Sequence, residues 1–327
     1  MAERHEEAEH AVSPRAASSL LARLAGVEGL SCRALQPLAP RSTLRIGGPA
    51  EVLAEASSAA ALAALRRAVD RAGLPFVVLG HGANVLIPDR GLPGVVARPV
   101  GELACFEFEG QEVRAGAAVP LARLARAAVR RGFGGLEALA GFPSTVGGAV
   151  FMNAGCYGTE IKDVLLEVRL LDRRGDEVVL PAAALAAGYR HTALFESDMV
   201  VTSARFALTP GDPQELEARM DALNRRRWQS LPSGRPNAGS IFKNPEGSSA
   251  GQLLDAAGLK GATVGAAQIS ERHANVIVNL GGATAADVVE LMAKAQRAVR
   301  GRFGIVLEPE LRLLGELEQV YRALTAR

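Results

Sequence analysis

Two glycine-rich loops have the composition of an anion-binding site. The first, Gly80-His81-Gly82-Ala83-Asn84, directly follows the apolar run FVVL, which predicts a short buried strand over 76–79. Small residues after a strand let backbone N–H groups converge on an anion such as a pyrophosphate. Taken alone, this loop lacks the GxGxxG spacing and is better explained as an ordinary tight turn. A second small-residue segment, GFPSTVGGA at 141–149, lies in the same half of the chain. Together the two loops indicate a large cofactor with an extended phosphate linkage.

Three isolated polar residues could also take part in chemistry, although each has an ordinary explanation. Ser240 lies in AGSIFKNP without a GxSxG motif or an evident Asp/His pair, so a hydrolase nucleophile is unsupported and a turn serine fits equally. Arg190, in GYRHT, fits a solvated surface charge as well as an anion contact. Glu310 falls in a predicted strand over 305–315, where a period of two is typical of a solvent-facing edge and places on one face Glu308, Glu310 and Arg312.

The elements around these residues alternate between predicted strands and helices, which is typical of an α+β or mixed α/β fold. Strands are predicted at 51–56 and 76–79, a hairpin at 164–171 and 176–180, and a further strand at 305–315. Caps and apolar spacing predict four helices. The first runs from a cap at Ser57 or Ser58 to Gly73, and the others from Pro120 to Gly132, from Asp212 to the RRRW at 225–228, and from Thr284 to Gly301. Loop-forming residues at 209–212 place a domain boundary near 210.

The composition is that of a globular chain of about two domains. With 48% apolar and 22% charged residues in 327, the sequence excludes a disordered protein. A net charge of +2 argues against a dedicated nucleic-acid binder. The stretch 138–159 is uncharged but contains five glycines and a proline, so no membrane insertion is predicted. Residues 1–20 are predicted to be a disordered tail.

Cysteine and histidine placement argues for a reduced, metal-free protein. Neither a disulfide framework nor a metal site is predicted. No suitable ligand spacing occurs among the cysteines (Cys32, Cys105, Cys156) or among three of the five histidines, His81, His191 and His273. The charged N-terminus lacks a signal peptide, so a cytoplasmic location with reduced thiols is expected.

Eight segments together resemble the UDP-N-acetylenolpyruvoylglucosamine reductases (the MurB family), which are flavoenzymes of peptidoglycan precursor synthesis. Each segment is weakly specific alone, but the ordered set, spanning roughly 40–315, is very specific. In chain order the segments are TLRIGGPAEV (43–52), GHGANVLI (80–87), LAGFPSTVGGAVFMNAGCYGTEIKDV (139–164), YRHT (189–192), AGSIFKNP (238–245), GQLLDAAGLKG (251–261), ISERHANVIVN (269–279) and LEPELRLLG (307–315).

The resemblance implies an α+β fold with an FAD-binding domain of the two-part vanillyl-alcohol-oxidase type at 21–211. A smaller α+β substrate-binding domain would follow at 212–327, with its last residues packing back on the first domain. The implied reaction is the NADPH-dependent reduction of UDP-N-acetylglucosamine enolpyruvate (UDP-GlcNAc enolpyruvate) to UDP-N-acetylmuramate. Non-covalent FAD would carry the hydride, NADPH would be the co-substrate, and a monomer is expected.

The resemblance also assigns site residues by motif. The family's catalytic trio falls on Arg190, Ser240 and Glu310. Arg190 would hold the substrate carboxylate, Glu310 would donate to it if protonated, and Ser240 would protonate the carbanionic carbon. Cofactor-binding residues would be Gly80, His81, Gly82, Ala83, Asn84, Ser144, Thr145, Gly147, Gly148, Asn153 and Gly155. Substrate-binding residues would be Arg190, Asn244, Gln268 and Arg225.

The spacing and a few departures refine this assignment. Arg190 and Ser240 are 50 positions apart, which leaves no room for the tyrosine-bearing insertion of the longer family type and indicates the shorter, second type. The chain departs from the usual family residues at Ser144, Thr192 and Arg272. Two alternatives stay open: a related oxidase that attaches its flavin through His81, and a non-catalytic nucleotide-binding module.

Overall fold

The structure, a computed structural model, describes residues 14–326, which form three main sheets and three two-stranded ones, with helices packed against the main sheets. The helices are α1 Pro14–Leu24, α2 Ala59–Arg71, α3 Leu121–Arg130, α4 Val146–Phe151, α5 Pro213–Ser230, α6 Ala250–Ala256, α7 Ala285–Phe303 and α8 Leu317–Thr325. The strands are β1 Leu30–Pro37, β2 Pro49–Ala56, β3 Phe76–Val78, β4 Val85–Leu86, β5 Leu92–Pro99, β6 Phe106–Glu109, β7 Glu112–Gly116, β8 Phe133–Gly134, β9 Gly155–Cys156, β10 Thr159–Glu160, β11 Leu165–Leu171, β12 Glu177–Pro181, β13 Val200–Ala207, β14 Thr209–Pro210, β15 Asn237–Ser240, β16 Thr263–Val264, β17 Ala267–Ile269, β18 Val276–Asn279 and β19 Arg312–Leu313.

The first sheet has the strand order β1-β2-β5-β3, with β1 antiparallel and the other pairs parallel. Helix α2 packs against this sheet. It begins after Ser58, because the Ser58 hydroxyl accepts a hydrogen bond from the Ala61 N–H and so caps the helix. Its buried face carries Leu62 and Leu65. Strand β3 lies at the sheet edge, and the glycine-rich loop 80–84 follows it at one side of the first domain.

The predicted disordered tail is wrong for residues 14–20, which form the first part of helix α1. The helix forms because Leu20 and Leu24 are buried in the same apolar cluster as Leu62 and Leu65 of α2. When a partner surface is present, the free energy gained by burying such side chains exceeds the conformational entropy lost in forming one short helix. Residues 1–13 of the predicted tail lie outside the described residues.

The second sheet is antiparallel, in the order β12-β11-β13-β7-β6, and contains the predicted hairpin as β11 and β12. Helices α3 and α4 pack on it, with Leu121, Leu124 and Val150 buried against Phe206. The uncharged stretch 138–159 becomes the short helix α4 with loops on either side. Among residues 14–326, no helix combines the length and apolarity needed to cross a bilayer.

The third sheet, β15-β18-β17-β16, is antiparallel and packs against α6 and α7. Helix α5 precedes this unit but packs on the previous one, because Leu216 and Met220 join the apolar cluster of the second sheet. The sequence places the domain boundary at 211, whereas these core contacts favour a boundary after α5.

The predicted strand over 305–315 is wrong for most of its length, since only Arg312–Leu313 is a strand. Pro309 lacks a backbone N–H, and the neighbouring Glu310 N–H donates to the Ile241 carbonyl at 2.9 Å. The period-two interpretation therefore fails, and Glu310 faces the protein interior. Helix α7 also continues past the predicted stop at Gly301, because Gly304, at φ 70°, provides the left-handed C-terminal cap.

The C-terminal residues return to the first domain and join the two units. Strand β19 pairs in parallel with β4, so that Arg312 is opposite Val85 and Leu313 is opposite Leu86. The Asp89 carboxylate accepts hydrogen bonds from the backbone N–H groups of Ala285 and Ala286, at 2.8 and 3.2 Å, and thus caps α7 from the other unit. These contacts fix the orientation of the third sheet relative to the first.

We expect Asp89→Ala to lower the free energy of unfolding by about 1 kcal/mol, because two N–H groups at the start of α7 lose their acceptor. Asp89→Asn should lose less, since its amide oxygen can still accept one bond. Urea unfolding followed by circular dichroism measures the change, with the exposed α7 residue Glu290→Ala as control. Equal stability of Asp89→Ala and the control would contradict the capping role.

Candidate active site

A single long cavity of about 1460 Å³ lies where the three sheets meet. Its lining includes Val77 and Val78 from β3, Val201 from β13, Ser240 from β15, and Arg227 from α5. Both glycine-rich loops identified in the sequence border it. The cavity therefore has the size and the position to hold a dinucleotide-sized ligand together with a second molecule.

The loop 80–84 presents backbone donors to this cavity. Within the described part of the chain, none of the five backbone N–H groups from Gly80 to Asn84 donates to a protein acceptor. Gly82 adopts φ 59°, the left-handed conformation that lets successive N–H groups point toward one side. Unpaired backbone donors beside a large cavity fit an anionic group such as the pyrophosphate of FAD.

Some loop glycines are required by the protein rather than by a ligand. A Cβ at Gly80 would lie 2.6 Å from the Thr145 hydroxyl, and one at Gly147 would lie 2.9 Å from the Ala117 side chain. A Cβ at Gly82 would overlap the Arg41 carbonyl. Gly148 differs, because it is exposed to the cavity and its Cβ would meet only Ser144 and Thr145, at 3.3 and 3.5 Å. The close packing of the two loops thus explains most of the small residues.

The structure brings Arg190, Ser240 and Glu310 together at one wall of the cavity. The Arg190 guanidinium donates from Nε to Glu310 at 2.8 Å and from Nη2 to the Gly155 carbonyl at 2.7 Å. The Glu310 backbone N–H is bonded to the carbonyl of Ile241, the residue after Ser240. Three residues far apart in sequence therefore share one site.

Arg190 is held in an uncommon backbone conformation. Its φ is 55°, in the left-handed region that side chains other than glycine rarely adopt. The turn is closed by reciprocal backbone hydrogen bonds between Gly188 and His191. The strain places the guanidinium beside Glu310, and strained residues of this kind concentrate at functional sites.

Glu310 has an unusual protonation equilibrium. Burial raises the pKa of its carboxyl above the ordinary range, and the opposing attraction of Arg190 only partly offsets this effect. The Ser240 hydroxyl has no hydrogen-bond partner among residues 14–326, so it is free to contact a ligand. A carboxyl with a raised pKa, a guanidinium and a free hydroxyl thus face the same space.

Most of the other predicted residues also border the cavity. These are Gly80, His81, Gly82, Ala83, Asn84, Ser144, Thr145, Gly147, Gly148, Gly155 and Asn244. Asn244 also organises the local backbone, because its side-chain oxygen accepts from the Ala250 N–H at 3.0 Å. Among residues 14–326, no cluster of three or more His, Cys, Asp or Glu side chains could hold a metal ion.

Three predicted residues do not reach the cavity. Asn153 is 1% exposed and bonds to Glu160, Gly188 and Lys162, so it supports the turn that carries Arg190. Gln268 points its amide toward the Gly261 carbonyl within the third sheet. Arg225 is exposed on α5 and is not among the residues that line the cavity.

Arg227 is the residue that takes the place predicted for Arg225. It lines the cavity, its guanidinium lies 4.5 Å from the centre of the Phe142 ring, and burial lowers its pKa. The helical pattern already contains this information. Leu216, Met220 and Asn224 recur at spacings of four, and Arg227 continues that face at a spacing of three, whereas Arg225 does not.

Comparison with known proteins assigns both parts of the chain. Residues 231–314 match the family described as UDP-N-acetylenolpyruvoylglucosamine reductase, C-terminal domain, and residues 50–180 match an FAD binding domain family. The protein is 42% identical to a UDP-N-acetylenolpyruvoylglucosamine reductase from Synechococcus over 92% of this chain and 96% of that protein. It is 46% identical to one from Anaeromyxobacter over 86% of this chain and 87% of that protein.

A solved structure is similar over the same extent. The crystal structure of UDP-N-acetylenolpyruvylglucosamine reductase (MurB) from Thermus caldophilus matches with a TM-score of 0.76 and 37% identity, and the match covers 88% of this chain and 99% of that one. The predicted α+β architecture, with an FAD-binding domain followed by a smaller C-terminal domain, is confirmed. Sequence, fold and site agree that the chain belongs to the UDP-N-acetylenolpyruvoylglucosamine reductase family.

Proposed function

We propose that this protein reduces UDP-GlcNAc enolpyruvate to UDP-N-acetylmuramate with NADPH, as an FAD-containing oxidoreductase of peptidoglycan precursor synthesis. The observation that carries the proposal is the meeting of Arg190, Glu310 and Ser240 in a cavity where the loop 80–84 offers unpaired backbone N–H groups. A non-catalytic nucleotide-binding module would have no need for a buried acid, a cation and a free hydroxyl in one place.

The two glycine-rich loops would hold FAD, with the N–H groups of residues 80–84 directed at its pyrophosphate. Bound there, FAD would supply the hydride-transfer chemistry that connects NADPH to the methylene carbon of the enolpyruvyl group. We propose that the flavin is bound non-covalently. His81 borders the same cavity and contributes to its wall.

Arg190 would bind the carboxylate of the enolpyruvyl group. A guanidinium has five N–H donors, and here Nε and Nη2 are engaged by Glu310 and Gly155, which leaves Nη1 and further donors for the substrate. Negative charge builds up on this carboxylate as the methylene carbon is reduced. A fixed cation beside it therefore binds the transition state more strongly than the ground state.

Ser240 and Glu310 would both donate to the enolpyruvyl group, one a proton and the other a hydrogen bond. Ser240 would donate its proton to the carbanionic carbon, which is a strong enough base to accept from a hydroxyl. Glu310, with its pKa raised by burial, can remain protonated and donate a hydrogen bond to the developing enolate. The two residues thus act on different atoms of one intermediate.

The rest of the substrate would extend toward α5 and the third sheet. Asn244 and Arg227 border that part of the cavity, and we assign them to the UDP-sugar in preference to Gln268 and Arg225. Both substrates are small charged nucleotides, so we place the enzyme in the cytoplasm. The monomer expected from the family resemblance stays a prediction.

The cofactor assignment is tested at Gly148. Gly148→Leu should lower the FAD content of the purified protein several-fold, because the added side chain projects into the cavity while meeting few protein atoms. Gly148→Ala is the matched control and should keep its flavin. Flavin absorbance per chain and the circular dichroism spectrum measure occupancy and folding. A fully loaded, correctly folded Gly148→Leu would contradict the position of the cofactor.

The central test of the proposed function separates the two half-reactions at Ser240. In Ser240→Ala, NADPH should still bleach the flavin absorbance, because that step needs no proton from the hydroxyl. Recovery of the absorbance on adding UDP-GlcNAc enolpyruvate should slow by about 10²–10⁴-fold, the usual value of a positioned general acid.

Stopped-flow absorbance follows both steps, with Ser233→Ala, an exposed residue outside the cavity lining, as control. Slowing of the NADPH step with a normal substrate step would instead place Ser240 at the nicotinamide. Failure of the wild-type protein to respond to the enolpyruvyl substrate would overturn the proposed function itself.

The raised pKa of the Glu310 carboxyl predicts a pH dependence. Burial raises the carboxyl pKa, so the required proton is bound at low pH and is lost as the pH rises through that raised value. The substrate half-reaction should therefore slow toward alkaline pH. In Glu310→Gln the amide is neutral at every pH, and this alkaline decline should vanish although the absolute rate falls. An unchanged decline in the variant would assign it to another group.

A further inference from the structure

Arg66 of helix α2 is buried without any partner for its charge. Among the described residues only two charged side chains are buried, Arg66 at 5% and Glu137 at 4% exposure. Glu137 is paired with Arg219 at 3.1 Å and accepts a hydrogen bond from the Gly135 N–H. Arg66 makes no ion pair or hydrogen bond within residues 14–326, and its Nε is fully shielded from solvent. A buried, uncompensated guanidinium is costly, so a ligand that supplies acceptors would remove this cost.

The neighbours of Arg66 do not neutralise it. Asp70, one turn further along α2, is paired with Arg173 instead. The one ordered contact of the guanidinium is with the face of Phe76, whose ring centre lies 4.9 Å away. Both Arg66 and Phe76 line the large cavity. The terminal nitrogens Nη1 and Nη2 of Arg66, unlike the shielded Nε, therefore have access to the space in which the cofactor would lie.

The position along the cavity identifies the part of the cofactor. Phe76 begins β3, and the N–H groups of the loop 80–84 follow four residues later, which is about 13 Å of strand. Beyond that loop lies the site of Arg190 and Glu310, because the Asn84 side chain donates to the Glu310 carbonyl. The order along the cavity is therefore Arg66, then the pyrophosphate loop, then the reactive site.

We propose that Arg66 binds the adenosine half of FAD, with Phe76 providing an adjacent aromatic face. The inference rests on the proposed function in that FAD is the resident cofactor. With the flavin ring at Arg190 and Glu310 and the pyrophosphate at loop 80–84, the adenosine half extends toward α2. Adenine ring nitrogens and ribose oxygens are hydrogen-bond acceptors, which match a guanidinium with unused donors.

The test compares FAD with FMN, which lacks the adenosine half. In the full-length protein freed of flavin, Arg66→Met should weaken FAD binding by about ten- to a hundredfold, the range for a hydrogen bond to a charged group. FMN binding should stay within about twofold of wild type. The flavin-free variant should melt at the same temperature as wild type or higher, because the unpaired buried charge has been removed.

Arg71→Met, an exposed arginine on the same helix, is the control and should change none of these quantities. Quenching of flavin fluorescence measures affinity, and circular dichroism measures melting. Unchanged FAD affinity, equal weakening of FAD and FMN, or a lower melting temperature of flavin-free Arg66→Met would each overturn the role of Arg66. Failure of the wild-type protein to bind FAD would instead contradict the proposed function.

Discussion

The site depends on one pair of hydrogen bonds between segments that are distant in sequence. The Asn84 side chain donates to the Glu310 carbonyl at 3.0 Å, and the Asn84 carbonyl accepts from the Arg312 N–H at 3.1 Å. The last residue of the cofactor loop is thereby joined to the segment that carries the buried acid. Neither half of the chain contains a complete site, and the parallel pairing of β19 with β4 keeps the two halves in register.

The same junction explains why the reactive groups are preorganised. Arg190 is fixed from three directions: by its left-handed turn, by Glu310, and by the Gly155 carbonyl. The Asn153 side-chain amide supports that turn by donating a hydrogen bond to the Gly188 carbonyl. Because these groups are already ordered, the protein does not have to pay for ordering them when charge develops on the substrate.

Local elements and family motifs could be predicted from the sequence because they depend on local signals. Ser58 as a cap, Pro213 at a helix start and the hairpin around Gly175 all act over a few residues, and each prediction is confirmed. The predictions that failed depend on distant contacts. Helix α1 packs against the apolar surface that α2 offers. The segment 305–311 is held by a few backbone hydrogen bonds and an isolated bridge to residues 241–243 rather than by a continuous strand.

The site residues also divide into those that local motifs indicate and those that depend on distant contacts. Motif spacing could nominate Arg190, Ser240 and Glu310. It does not separate Arg225 from Arg227, for which the helical spacing of the buried face of α5 is the usable signal. The lack of a partner for Arg66 could not be anticipated either, since a charged residue on an amphipathic helix is expected to face solvent.

The ion pair between Arg190 and Glu310 couples substrate binding to proton uptake. Without substrate, one guanidinium faces one carboxyl at 2.8 Å. A bound enolpyruvyl carboxylate adds a second anion to the same cation, which favours the protonated form of a carboxyl whose pKa burial already raises. The enzyme should therefore take a proton from the buffer as it binds the substrate, and the heat of binding should vary with the ionisation enthalpy of the buffer. The proton needed to balance the charge of the site thus arrives with the substrate.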